Sequence, residues 1–184
     1  MDIPKAETHR PEWPAALPRL PQIWIGYLLG FATIAGEFVA AALHPELPAS
    51  LFVIPPVYVF LPAFVGFVYW LVCVHRYHLI LADVPSVQYP VSPVRAVGFH
   101  FIPLYNFYWL FKWPQEIAKF INARLGRRLM KPGGVGFAVL TAFLVRFLVD
   151  PGLGLILMFV TASYISACLR HALLSAPHQA AGEP

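Results

Sequence analysis

Charge is scarce in this sequence. Asp, Glu, Lys and Arg make up 12% of its 184 residues while 59% are hydrophobic, against about 25% charged residues in soluble globular domains. A water-facing surface cannot be built from so little charge, so the composition predicts an integral membrane protein. Cysteine is rarer still: Cys73 and Cys168 are the two present, which excludes a disulfide framework and a four-cysteine zinc site. Patterns that carry nucleophilic, metal-dependent or nucleotide chemistry are missing as well. There is no GxSxG elbow, HExxH helix, P-loop or dinucleotide glycine pattern, and the glycines of KPGGVG at 131–136 lack the preceding strand such loops need. The expectation is a protein that is not an enzyme and holds no cofactor or metal. The net charge of +4 gathers in one loop, where it reports membrane orientation rather than a nucleic-acid partner.

What the sequence does contain is long apolar runs, and their lengths predict an all-α membrane bundle of four transmembrane helices. Residues 1–22 form a polar, proline-rich tail (PEWP, PAALP, PRLP) that reads as a stiff linker. The apolar run that follows is too long for the core of a cleaved signal peptide. Ile23–Leu43 is the first span, with Trp24 and Tyr27 at its entry. Gly26 with Gly30, and Gly36 with Ala40, give the small-residue spacing that lets another helix approach closely, and Glu37 is the one charge inside it. The second span covers 52–74, with Pro55 and Pro56 at its start and Pro62 in its interior, and continues amphipathically to Asp83. The third and fourth cover 135–149 and 153–174, joined by a tight turn at Asp150, Pro151 and Gly152. A second tail follows at 175–184. Ala162, Ser163, Ser166 and Ala167 give the last span a packing face, and the serine and Thr161 hydroxyls are expected to bond their own helix. His75 and His78 share a helical face, with Cys73 or His100 as conceivable further ligands. Two ligands do not complete a zinc site, and such residues are ordinary at a membrane boundary.

The stretch from Ser92 to Asn122 departs from this pattern. Its aromatic core, 96–111, holds His100, Pro103 and Asn106 in sixteen residues, short of the roughly 20 needed to cross. Residues 94–113 therefore read as a re-entrant or interfacial broken helix, with Asn106 expected to satisfy backbone groups freed near Pro103. Residues 115–130 read as a surface amphipathic helix, apolar at Ile117, Ile121, Leu125 and Leu129. Lys112, Lys119, Arg124, Arg127, Arg128 and Lys131, opposed by Glu116 alone, mark its surroundings as lipid-facing and basic, suited to anionic lipid. Four crossings with both termini cytoplasmic keep every cationic loop inside and leave 43–51 and 150–152 outside without Lys or Arg. A fifth crossing at 96–111 breaks that bias. In this topology Glu37 and Arg146 share the outer leaflet, and each ion is too costly there alone. They are expected to face one another, with Asp150 as a second acceptor for the guanidinium.

Ser92-Pro93, Ala96-Val97-Gly98-Phe99, Phe101-Ile102-Pro103, Asn106, Tyr108-Trp109 and Asn122 resemble the signature of small multi-pass bacterial membrane proteins of uncharacterised function, some of which carry a GYF-like domain. Here Arg95 stands at the usual lysine position, His100 at a normally apolar one, Leu104 and Tyr105 replace a phenylalanine-rich pair, and no GYF-like domain is present. The resemblance implies fold and a bacterial inner-membrane location, and supplies no reaction. The function expected is a noncatalytic scaffold or accessory subunit packing against a membrane-protein partner or a second copy. The alternative is a small transporter or channel using Glu37 and the broken helix around Pro103 and Asn106.

Overall fold

The computed structural model describes residues 18–43, 55–84 and 91–175. The sequence expectations for the tails before Pro18 and after Ser175, and for the start of the second span at 52–54, lie outside these residues. Six helices follow in order: α1 (Ile23–Leu43), α2 (Val57–Ala82), α3 (Pro93–Gly98), α4 (Tyr105–Leu125), α5 (Pro132–Leu148) and α6 (Pro151–Leu174), with a 3-10 turn at Phe99–Phe101 after α3. α1, α2 and α6 are long and apolar enough to cross a membrane, and α5, at 17 residues, is a shorter apolar helix. These helices are compatible with a multi-pass membrane protein.

α6 is the hub, packed against α1, α2, α4 and α5. Its contacts depend on glycine where backbones must come close. The buried residues of α1 are Gly26, Gly30, Thr33 and Gly36, with no aliphatic among them. A Cβ on Gly26 would sit 2.2 Å from the Phe159 ring and one on Gly30 2.7 Å from Ile156 Cγ1, so the GxxxG seam is filled by α6 side chains. Gly36 meets α2 instead, where a Cβ would lie 2.9 Å from the Tyr58 carbonyl oxygen. That carbonyl has lost its helical donor because Pro62, four residues on, has no N–H. At two further crossings the obstacle is helix backbone. A Cβ on Gly154 would stand 2.2 Å from the backbone of Arg146, holding α6 on α5, and one on Gly136 2.3 Å from the Phe111 carbonyl, holding α5 on α4. Between these crossings Trp70, Tyr77, Trp113 and Phe159 are fully buried, with Trp70 edge-on to Phe159 and tilted against Trp113.

Several boundaries differ from those read in the sequence. α2 begins at Val57, after Pro55 and Pro56, and continues to Ala82 as expected, with Pro62 inside it. α5 begins at Pro132, three residues early, because proline suits a first helical position, and α6 begins at Pro151 with Asp150 as its cap. The larger correction concerns the central stretch. The break falls at Ile102–Leu104, after which one helix, α4, joins the second half of the predicted re-entrant segment to the amphipathic helix. Pro114 sits buried inside α4; one missing donor is tolerated where tertiary packing covers both sides. α4 then ends at Leu125, not near 130, because Gly126 adopts the left-handed conformation at φ 61° that stops a helix.

The break itself is a turn. Ile102 is extended, the conformation that a residue before proline prefers. Leu104 has φ 64° and ψ −44°, and the Tyr105 N–H donates to the Pro103 carbonyl at 2.7 Å. This is a γ-turn of the rare, strained kind. Phe101, Ile102 and Leu104 around it are exposed.

Candidate functional site

The residues singled out in the sequence fall into three places. The first is the end of the bundle where α1 finishes and α5 turns into α6. Asp150 Oδ1 accepts from the Leu153 N–H, capping α6. The Glu37 carboxyl lies beside that of Asp150 and against the Gly152 amide, with Oε2 3.3 Å from where a Gly152 Cβ would be. The Glu37 carboxyl therefore meets one backbone amide at the start of α6 and a second carboxyl beside it. Glu37 is thus level with the α5–α6 turn, and residues 38–43 carry α1 about 9 Å beyond it. Arg146 turns the other way. Its Nη2 donates to the Ala63 carbonyl of α2 at 2.9 Å, and its guanidinium lies 5.2 Å from the Phe67 ring centroid and 5.8 Å from that of Phe147. Among the described residues the ion pairs are those of Glu116 with Lys112 and Lys119, so Arg146 pairs with neither Glu37 nor Asp150. The expected cross-helix ion pair is corrected: both side chains reach the same end, but the Glu37 carboxyl meets the Gly152 amide and the Asp150 carboxyl, and the Arg146 guanidinium meets a carbonyl and two aromatic faces. Glu37 Oε1 and Arg146 Nε and Nη1 have no hydrogen-bond partner among the described residues.

The second place is the packing of α3 and the 3-10 turn against α2 and α4. The Ala96 carbonyl accepts from Trp109 Nε1 at 2.8 Å and faces His100 Nδ1 at 2.9 Å. His78 Nδ1 is 3.0 Å from the Val74 carbonyl, and its ring stacks at a tilt near Trp109 and Trp113. Asn106 does not perform the role expected of it: its Oδ1 is buried with no partner among the described residues, while its backbone N–H donates to the Ile102 carbonyl. The backbone at the break is closed by the turn rather than by a side chain. His75 is half-buried and His78 buried on the same face, and no group of three His, Cys, Asp or Glu among the described residues is placed to hold a metal ion.

The third place is the far end of α4. Lys112 and Lys119 each lie 3.0 Å from Glu116 Oε1. Burial opposes the charge on Glu116, but the hydrogen bonds from both lysines outweigh it and hold its carboxyl below the usual carboxylate range. Arg127 Nη2 donates to His171 Nε2 at 3.1 Å. Asn122 fixes the loop between α4 and α5: Oδ1 accepts from the Leu129 and Met130 amides at 2.8 and 2.9 Å, and Nδ2 donates to the Met130 carbonyl at 2.7 Å.

Sequence reading missed the polar contacts that tie the hub. The Tyr77 hydroxyl, fully buried, meets Ser166 Oγ at 2.6 Å and donates to the Ala162 carbonyl at 3.0 Å, and Tyr27 meets Ser163 Oγ at 3.0 Å and the Phe159 carbonyl at 3.2 Å. The two serines therefore bond across helices, while Thr161 bonds its own helix at Met158 as expected. Tyr27 and Tyr77 sit where aromatic residues are ordinarily interfacial, and the one signal available was the three-residue spacing of Ser163 and Ser166.

No family model, curated protein or solved structure matches this chain.

Proposed function

We propose that the chain is a noncatalytic scaffold or accessory subunit of a membrane complex, crossing a bacterial inner membrane four times with both termini cytoplasmic. In this reading α1, α2, α5 and α6 cross, and α3 to α4 dips into the bilayer and returns. The signature at 92–122 and the inward bias of cationic loops support the location. The antiparallel seat of α4 on α5, with Gly136 against Phe111 and Phe107 against the Phe143 ring, supports the return.

One observation carries the functional reading. Three of the ionisable groups that sequence marks as solute-site candidates are engaged with helix ends and carbonyls, Asp150 and Glu37 at the start of α6 and Arg146 on Ala63, and the hydroxyls of Tyr27 and Tyr77 bond α6 in the same way. Groups used this way fix helix positions, as a packing platform requires. The transporter reading is favoured by a different fact, the unpartnered Glu37 Oε1 and Arg146 Nε and Nη1. Purification of the natively expressed protein from mild detergent separates the two. A stoichiometric partner, or a defined homo-oligomer, is the result expected of a scaffold. A lone protein whose melting temperature rises with an added solute favours transport.

A further inference from the structure

The six cations around α4 are not equivalent. Lys112 and Lys119 are both held on Glu116, whereas residues 123–136 contain no acid, and Arg127, Arg128 and Lys131 are all exposed there. The loop that carries them is not free to wander, since three hydrogen bonds from Asn122 lock its backbone and Arg127 is pinned to His171 at the end of α6. Lys131 is the residue immediately before α5, and His171 lies in the last turn of α6. In the four-span reading proposed above, on which this inference rests, α5 and α6 both meet the membrane surface at this loop, and its cations stand at the level where hydrocarbon gives way to headgroups.

We propose that Arg127, Arg128 and Lys131, on the loop clamped by Asn122, form a docking site for the phosphate of an anionic phospholipid, and that Lys112 and Lys119 take no part. Charge complementarity, the absence of local acid and the position at the ends of α5 and α6 select a lipid headgroup over other anions. The inference is independent of whether the protein is a scaffold or a transporter.

The test uses the full chain in neutral detergent, titrated with short-chain phosphatidylglycerol or phosphatidylcholine and read by native mass spectrometry. Each cation near a lipid surface contributes about fivefold in affinity. The double variant Arg127→Gln with Arg128→Gln is therefore expected to bind phosphatidylglycerol roughly 25-fold more weakly, and Arg128→Gln with Lys131→Gln, which leaves the His171 contact intact, to show a similar loss. Lys112→Gln with Lys119→Gln is expected to change binding less than about twofold. An unchanged melting temperature in lipid-free detergent shows that each variant is folded. Equal losses in the loop and helix variants would overturn the proposal in favour of diffuse charge, as would equal affinity for the two lipids. Displacement of the lipid by micromolar inorganic phosphate would overturn the assignment to a lipid headgroup.

Discussion

Substituting Gly154 by alanine probes a crossing where an added Cβ would meet helix backbone. The added Cβ would lie 2.2 Å from both N and Cα of Arg146 and 2.5 Å from its Cβ, where carbon atoms normally approach to about 3.5–4.0 Å. The obstacle is helix backbone, which cannot rotate aside, so α5 and α6 must part by roughly 1.5 Å. Overpacking of this kind costs about 1–3 kcal/mol. Parting the helices also stretches the 2.9 Å bond from Arg146 to Ala63, and a charged hydrogen bond contributes about 1.5–3 kcal/mol. The expected loss is about 3–5 kcal/mol, a fall in melting temperature of roughly 10 °C in a fixed detergent. Gly133 is the control, because a Cβ there meets nothing within 4 Å; alanine at that helical position is expected to be neutral or to stabilise by up to about 1 kcal/mol. If Gly154→Ala and Gly133→Ala melt alike, the α5–α6 contact is not as close as described.

Tyr77→Phe removes a buried hydroxyl and leaves the half-buried Ser166 without its cross-helix partner, and is expected to cost about 1–2 kcal/mol in thermal unfolding, more than Tyr27→Phe at its half-buried site. Asn122→Ala removes three hydrogen bonds and is expected to destabilise by about 1–3 kcal/mol. Asn122→Asp keeps the two accepting contacts and should fall between alanine and wild type. Glu37→Gln is expected to be neutral or stabilising, because the carboxyl faces that of Asp150, whereas Arg146→Gln loses its bond to Ala63 and its aromatic contacts and should cost about 1–3 kcal/mol. In a double-mutant cycle those two effects should add to within about 0.5 kcal/mol; a larger coupling would show that Glu37 and Arg146 do interact.

Hydropathy made α1 and α6 legible to within two residues, because a run that must fill hydrocarbon leaves an unmistakable mark. The glycines of α1 were legible for the same reason, since small residues four apart have little other use on an apolar helix. Internal breaks were harder. Proline stands at Pro62, Pro103 and Pro114, yet the chain breaks at Pro103 alone, where Leu104 takes a positive φ. Local sequence names the missing donor; only packing decides whether a helix survives it. The pairing of Glu37 and Arg146 failed on a related point. Depth along two helices placed both side chains at one end, but not which way each turns, nor that the Gly152 amide and the Asp150 carboxyl at the start of α6 would meet Glu37. The paired state of Lys112 and Lys119 was within reach of the sequence, because Glu116 lies four residues from one and three from the other.

Whether the chain between α2 and α5 returns to its own side is read most directly by single cysteines on a background lacking Cys73 and Cys168. With four crossings, Val94→Cys and Leu129→Cys, before and after the break, react with an impermeant reagent from the same side as Ser175→Cys, and Val149→Cys reacts from the opposite side. Reaction of Leu129→Cys from the side opposite Val94→Cys would mean that α3 to α4 crosses the bilayer, and would contradict the four-span bundle.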